Sequence, residues 1–240
     1  MKTSIISLSI LGVSLLPAAT ASAQLIDPGM PEHLFTLGVR AGLNTSNLNI
    51  NKDIFNGWNV NSWGTGFELG VVANINLRNF LTLQPGFFYE SRSGNYAYDS
   101  EFITYWGAGA QEMPVFENIT QLGHYRNYHF TVPVMVQFRL ALAPGVTWSV
   151  EAGPYFSWLL HSKHGDTILY QEESYPGVVG ALLEAEPNRY DFGFQFGTGI
   201  HCLRYLYLGV HYKAGARNVW NREALGGRHK IWSVTAGIDF

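Results

Sequence analysis

The sequence predicts an all-β chain, an eight-stranded antiparallel up-and-down transmembrane β-barrel, on three observations. Two long alternating runs flank Ala143-Pro144-Gly145, each a dozen or more residues and about twice the usual length of a soluble strand. Charged residues are only 14% of the 240-residue chain, against roughly 25% in soluble domains, so much of the exterior avoids water. Long and short connections alternate between the runs, as they do in barrels with short periplasmic turns and longer extracellular loops.

The chain opens with Lys2, an apolar run from Ile5 to Leu16, and Ala21-Ser22-Ala23, which read as a secretory signal over residues 1–23. Residues 24–33 are expected as a short periplasmic segment, and 34–240 as the barrel. Downstream there is no apolar run near 18 residues, which excludes a spanning helix. Lys and Arg total 15 against 18 Asp and Glu, a balance that suggests no nucleic-acid surface. Cys202 is the single cysteine and falls on an apolar face, where a small lipid-facing or buried residue is expected rather than a reactive thiol.

Eight runs alternate with period two, the signature of strands. The first sets Phe35, Leu37, Val39, Ala41 and Leu43 against Arg40 and small or polar residues, and a polar segment, 49–64, follows. The second carries Phe67, Leu69, Val71, Ala73 and Ile75, and turns tightly at 76–79. The third, Leu81 to Tyr89, leads to a long insertion, 91–127. The fourth and fifth run from Phe130 to Leu142 and from Val146 to Leu160, and a second long segment, 161–188, follows. The sixth, Tyr190 to Cys202, turns at 203–205 into the seventh, Leu206 to Ala214. A loop, 217–230, precedes the last run, Trp232 to Phe240. An even strand number puts both termini on the periplasmic side of the outer membrane, and closure requires the first run to pair with the last, since lipid offers no partner for a free edge.

Every charged residue within the runs lies on the polar face: Arg40, Glu68, Glu90, Arg139, Glu151, Asp191, Lys213 and Asp239. Aromatics gather at the run ends, Phe80, Trp148 and Phe240 on the turn side and Tyr89, Trp158, Tyr190 and Trp232 on the loop side, as interfacial girdles require.

The opening Leu37-Gly38-Val39-Arg40-Ala41-Gly42-Leu43-Asn44, then Val132-Pro133-Val134, Ala152-Gly153-Pro154-Tyr155, Asp191-Phe192-Gly193-Phe194 and a terminal Phe240 occur in an order that resembles the PorT-type outer-membrane barrel family of Bacteroidetes, over about residues 34 to 240. The resemblance implies an eight-stranded outer-membrane barrel and, in some members, a role in type IX secretion. It supplies no catalytic residues and no cofactor. Phe240 after an alternating strand also resembles the signal by which the outer-membrane assembly machinery recognises its clients.

A barrel of eight strands is only wide enough for its own side chains. Five acids and three bases facing inward must pair, because removing a charge from water costs several kcal/mol per ion; a network of ion pairs along the axis, with Arg139 and Glu151 as diagonal neighbours, is the expectation. The function expected is that of an integral outer-membrane protein, non-enzymatic, with a filled lumen, embedded in lipid and lipopolysaccharide. The segments 91–127 and 161–188 would then meet a protein or glycan partner, the first through Tyr96, Tyr98, Phe102, Tyr105, Trp106, Phe116 and Tyr125. A lipid A modifying enzyme recruiting His129, and a narrow channel, are the alternatives. His161 and His164 have metal-ligand spacing, but no Cys or second motif completes a site. His201 and His211 are expected to point inward on neighbouring strands, roughly opposed across the hairpin that turns at 203–205, as lumenal hydrogen-bonding groups. Asn44-Thr45-Ser46 and Asn118-Ile119-Thr120 match glycosylation acceptors, a pattern that arises often by chance.

Overall fold

The computed structural model describes residues 26–49, 58–106, 113–170, 173–176, 188–203, 205–219 and 227–240; the secretory-signal stretch lies outside them. Among these residues nine strands follow in order: β1 Phe35–Asn49, β2 Trp58–Arg78, β3 Leu81–Trp106, β4 Met113–Ala143, β5 Val146–Tyr170, β6 Glu173–Pro176, β7 Tyr190–Cys202, β8 Leu206–Gly215 and β9 Arg228–Asp239. Eight of them close an antiparallel ring in the order β4-β3-β2-β1-β9-β8-β7-β5, completed by β4–β5 pairing. Among the described residues the four-residue β6 pairs with β5 alone, outside the ring. Closure joins the first strand to the last, as lipid demands: Val39 faces Ile238, and Leu37 and Phe240 exchange backbone hydrogen bonds of 3.0 and 2.8 Å.

Alternation decides which way each side chain points. Phe194 is 57% exposed and Val234 53%, whereas Arg40 is 2% and Glu90 0% exposed, so the oily face is outside and the ionised one inside. The β4–β5 hairpin pairs Gln137 with Glu151 and Arg139 with Ser149, which puts Arg139 diagonal to Glu151. It turns on Gly145, whose φ of 76° suits a residue without Cβ. Girdles bound the apolar belt. Tyr89 stacks on Tyr128 and Tyr212 lies beside Trp232 toward the loop end, and Phe80 meets Phe138 toward the turn end.

Two segments expected as loops, 91–127 and 161–188, are strand over most of their described residues. Beyond Glu90 and His129 the β3–β4 ladder continues to Trp106↔Met113, leaving only 107–112 between the strands. The β4–β5 ladder continues from Asn127↔Ser162 to Ile119↔Tyr170. β9 likewise begins at Arg228, inside the segment read as a loop. Ile103, Thr104, Tyr105, Val115, Phe116, Ile119 and Thr120 favour extended backbone, but the apolar alternation that marks a membrane strand lapses in this part of the sequence.

Residues 26–34 lie across the turn end. Asn79 donates its backbone N–H to Gly29 (3.2 Å), Asn76 does so to Leu34 (2.8 Å), and the Asn76 amide reaches the His33 carbonyl at 2.9 Å.

Candidate functional site in the lumen

The inward face is filled by two polar clusters. Nearer the turn end, Arg40 pairs with Asp239 at 2.6 Å and lies 4.3 Å above the Tyr207 ring. Asn74 donates to the same carboxylate at 3.2 Å and accepts from Gln84 at 2.6 Å. Glu151 accepts from the Tyr207 hydroxyl at 2.5 Å and from the Gln137 amide at 3.0 Å. Arg139 donates to Gln137 at 2.9 Å and to Asn76 at 3.2 Å. The two residues expected as diagonal neighbours are thus linked through the Gln137 amide and form no direct ion pair.

Nearer the loop end the centre of the second cluster is Arg92, which lies in the stretch read from sequence as an insertion. Its Nε donates to Glu90 Oε1 at 2.7 Å, Nη1 to Asp191 Oδ2 at 2.7 Å and Nη2 to Ser157 Oγ at 2.7 Å. Lys213 bridges Glu68, at 3.0 Å, and Glu90. Thr235 and Thr131 donate to Glu68 and Glu90, each at 2.6 Å. The spacing Glu90, Arg92, Gly94 continues the inward parity and could have revealed Arg92. It is masked by Ser91 and Ser93, which stand where outward apolar residues would be. Here the β2–β3 register shifts between Trp63 and Glu68, β3 passes close against Gly64 and Gly66, and Ser93 exchanges hydrogen bonds with Ser46 of β1 at 2.6 and 2.8 Å. A Cβ on Gly66 would lie 1.9 Å from the Ser91 carbonyl oxygen.

Val72, Phe88 and Met135 are buried between the clusters, around a void of about 20 Å³ that Arg40, His211 and Lys213 also line. At the loop end Leu48, Tyr125, Val219 and Ile231 are buried as an apolar cap. Parity put Val72, Phe88 and Met135 on the inward face, but the four residues of the cap were not expected from sequence. Past the girdle the outer surface meets water, so apolar side chains there gain by turning in.

The histidines occupy separate places. His201 and His211 do not face each other: the register pairs His201 with Tyr207 and His211 with Gly197. The Tyr207 ring stands between them, its hydroxyl 3.1 Å from His211 Nε2 and its ring centroid 4.9 Å from that of His201. His129 lies edge-on to His229 at 5.8 Å, is 2% exposed, and neither of its ring nitrogens has a hydrogen-bond partner among the described residues. Among the described residues no acid or hydroxyl is hydrogen-bonded to it, so the geometry of a nucleophilic triad is not assembled from them. His161 is exposed and stacks on Tyr128; the His164 side chain lies outside what is described. Among the described residues no three His, Cys, Asp or Glu side chains gather in a way that could hold a metal ion. Cys202 is free and half-buried, on an outer groove with Val39, Ala41 and Ala236. Phe240 is 71% exposed at the turn end.

No curated protein matches the sequence significantly. Among solved structures, the chain is similar to Ail, the attachment invasion locus protein of Yersinia pestis, in a complex with the heparin analogue sucrose octasulfate. Identity is 12% over 87% of this chain and 100% of that one, with a TM-score of 0.39. It is also similar to Neisserial surface protein A, at 11% identity over 85% and 97% of the two chains and a TM-score of 0.40, and to the N-terminal β-barrel domain of Pseudomonas aeruginosa OprF, at 11% identity over 85% and 97% and a TM-score of 0.29. The sequence matches the outer membrane protein beta-barrel domain family over residues 22–220, more than half of its length, and the chain belongs to that family.

Proposed function

We propose that this outer-membrane barrel is a non-enzymatic, non-conducting support that holds the sheet of β3, β4 and β5 beyond the membrane as a binding platform. The observation that carries the reading is strand length. β4 has 31 residues, about 100 Å of chain at roughly 3.4 Å per residue, whereas crossing a bilayer takes about 9–11. The excess is built as a continuous ladder with its neighbours, a rigid base for the aromatic residues between Tyr96 and Tyr125, and a protein or glycan at the cell surface is the partner proposed for it. Both termini are assigned to the periplasmic side, Phe240 to recognition by the assembly machinery, and lipopolysaccharide to the outer-leaflet surroundings of the belt. Likeness to PorT-type barrels makes a secretion-accessory role one form that such binding would take.

Neither alternative gains from the geometry. A lipid A modifying enzyme would need His129 at the surface, yet it is buried beneath the cap. A channel would need a passage through paired charges and past Leu48 and Ile231. The test replaces residues 96–122 with a short turn, so that the Asn95–His124 pair closes the hairpin. The shortened protein is expected to remain a heat-modifiable barrel on gels while losing the partner that full-length protein captures by crosslinking on intact cells. Step-like currents from purified protein in a planar bilayer, or unchanged capture by the shortened form, would refute the reading.

A further inference from the structure

We propose that the cavity at the turn end of the lumen binds a small solute through a phosphate or carboxylate group, with Arg139 as its recognition residue. Three of the four cations in the lumen have a carboxylate close by: Arg40 has Asp239 at 2.6 Å, Arg92 has Asp191 at 2.7 Å, and Lys213 has Glu68 at 3.0 Å. Arg139 has none within ion-pair distance among the described residues. Its two hydrogen bonds go to the neutral side-chain oxygens of Gln137 and Asn76, which leaves most of the five guanidinium N–H donors unused.

This cation lines a cavity of about 600 Å³ together with Asn76 and His201, a volume in the range of small-molecule sites. His201 contributes a second nitrogen without a partner, Nε2, while its Nδ1 is 3.5 Å from Asp239 Oδ2. Three acids also line the space. Asp239 is held by Arg40 and Asn74, and Asp27 accepts from Asn79 at 2.7 Å and from the Gly29 N–H at 2.9 Å. Glu32 is exposed. The acid deepest in the cavity is therefore already neutralised. Arg78, also on the lining, is exposed and turned to the Met30 sulfur, so among the described residues the cation withdrawn from solvent here without an ion-paired carboxylate is Arg139. A planar guanidinium held on two sides by amides is preorganised for a bidentate oxyanion.

The experiment uses the whole protein in phosphatidylcholine nanodiscs and follows the arginine Nε–H resonances by NMR during separate titrations with sodium phosphate and sodium acetate at constant ionic strength. The Arg139 signal, identified by its absence in R139K, should shift saturably. Saturation by phosphate alone assigns a phosphate group, by acetate alone a carboxylate, and by both an oxyanion of either kind. R139Q should weaken binding, followed by calorimetry, about tenfold or more, the loss expected for one charge-assisted hydrogen bond. Should R139Q not fold, Ala141→Trp fills the same cavity from a half-buried position and leaves the charge in place; it should abolish the shift. No saturable shift with either anion, or equal affinity in R139Q or A141W, overturns the proposal.

Discussion

Replacing Arg92 with Met tests whether the lumenal network holds the barrel together. Met fills similar space but removes the charge from a site that is 0% exposed. Glu90 would keep Lys213 and Thr131, whereas Asp191 Oδ2 would keep only the Tyr155 hydroxyl, at 3.2 Å. Stranding a buried partner in this way costs about 3–5 kcal/mol. Converting the stranded carboxylate as well, in R92M with D191N, should recover part of that loss, with a coupling of about 1–3 kcal/mol for groups in direct contact. Urea unfolding in lipid vesicles reads both quantities, by the fluorescence of the seven tryptophans and by heat-modifiable migration. A loss below about 1 kcal/mol for R92M, or strictly additive variants, would refute the claim that this arginine anchors the upper cluster.

Other substitutions probe the outer face and the backbone. Val134→Arg, on the belt, should cost about 2–4 kcal/mol in the same assay, whereas Leu142→Arg, beside the turn, should cost only about 0–1 kcal/mol; equal costs would contradict the assigned depth. Gly66→Ala meets the backbone of Ser91 and should cost about 1–3 kcal/mol through overpacking. Gly145→Ala has open space around its Cβ, so only its left-handed φ is penalised, by about 1–2 kcal/mol, and a larger loss there than at Gly66 would reverse that account.

The barrel was legible because one rule, alternation, governs every residue that crosses lipid. Parity alone places Arg40, Glu68, Glu90, Arg139, Glu151, Asp191, Lys213 and Asp239 on one face. The rule lapses where lipid ends. Arg92 escaped it because Ser91 and Ser93 replace the lipid-facing residues where β3 packs closely on Gly64 and Gly66. Leu48 and Ile231 escaped it in the opposite sense, as apolar residues on the inward face of strands whose outer side has reached water. The pairing of His201 and His211 failed for a geometric reason. Parity puts both inside, but only the register decides height along the axis, and there Tyr207 intervenes.

The inverted arrangement also determines how this protein responds to substitution. In a water-soluble domain a core side chain removed leaves a cavity whose cost is nearly local. Here the interior side chains share acceptors: Glu90 joins Arg92 to Lys213, Lys213 joins Glu90 to Glu68, and Tyr207 joins Glu151 to the aromatic face beneath Arg40. Removing any one charge changes the balance felt by groups two contacts away. Single-site costs in the lumen should therefore not sum, while those on the lipid face, where each side chain meets hydrocarbon independently, should. The contrast between additive outside and coupled inside follows from the fold alone and holds whatever the extended sheet binds.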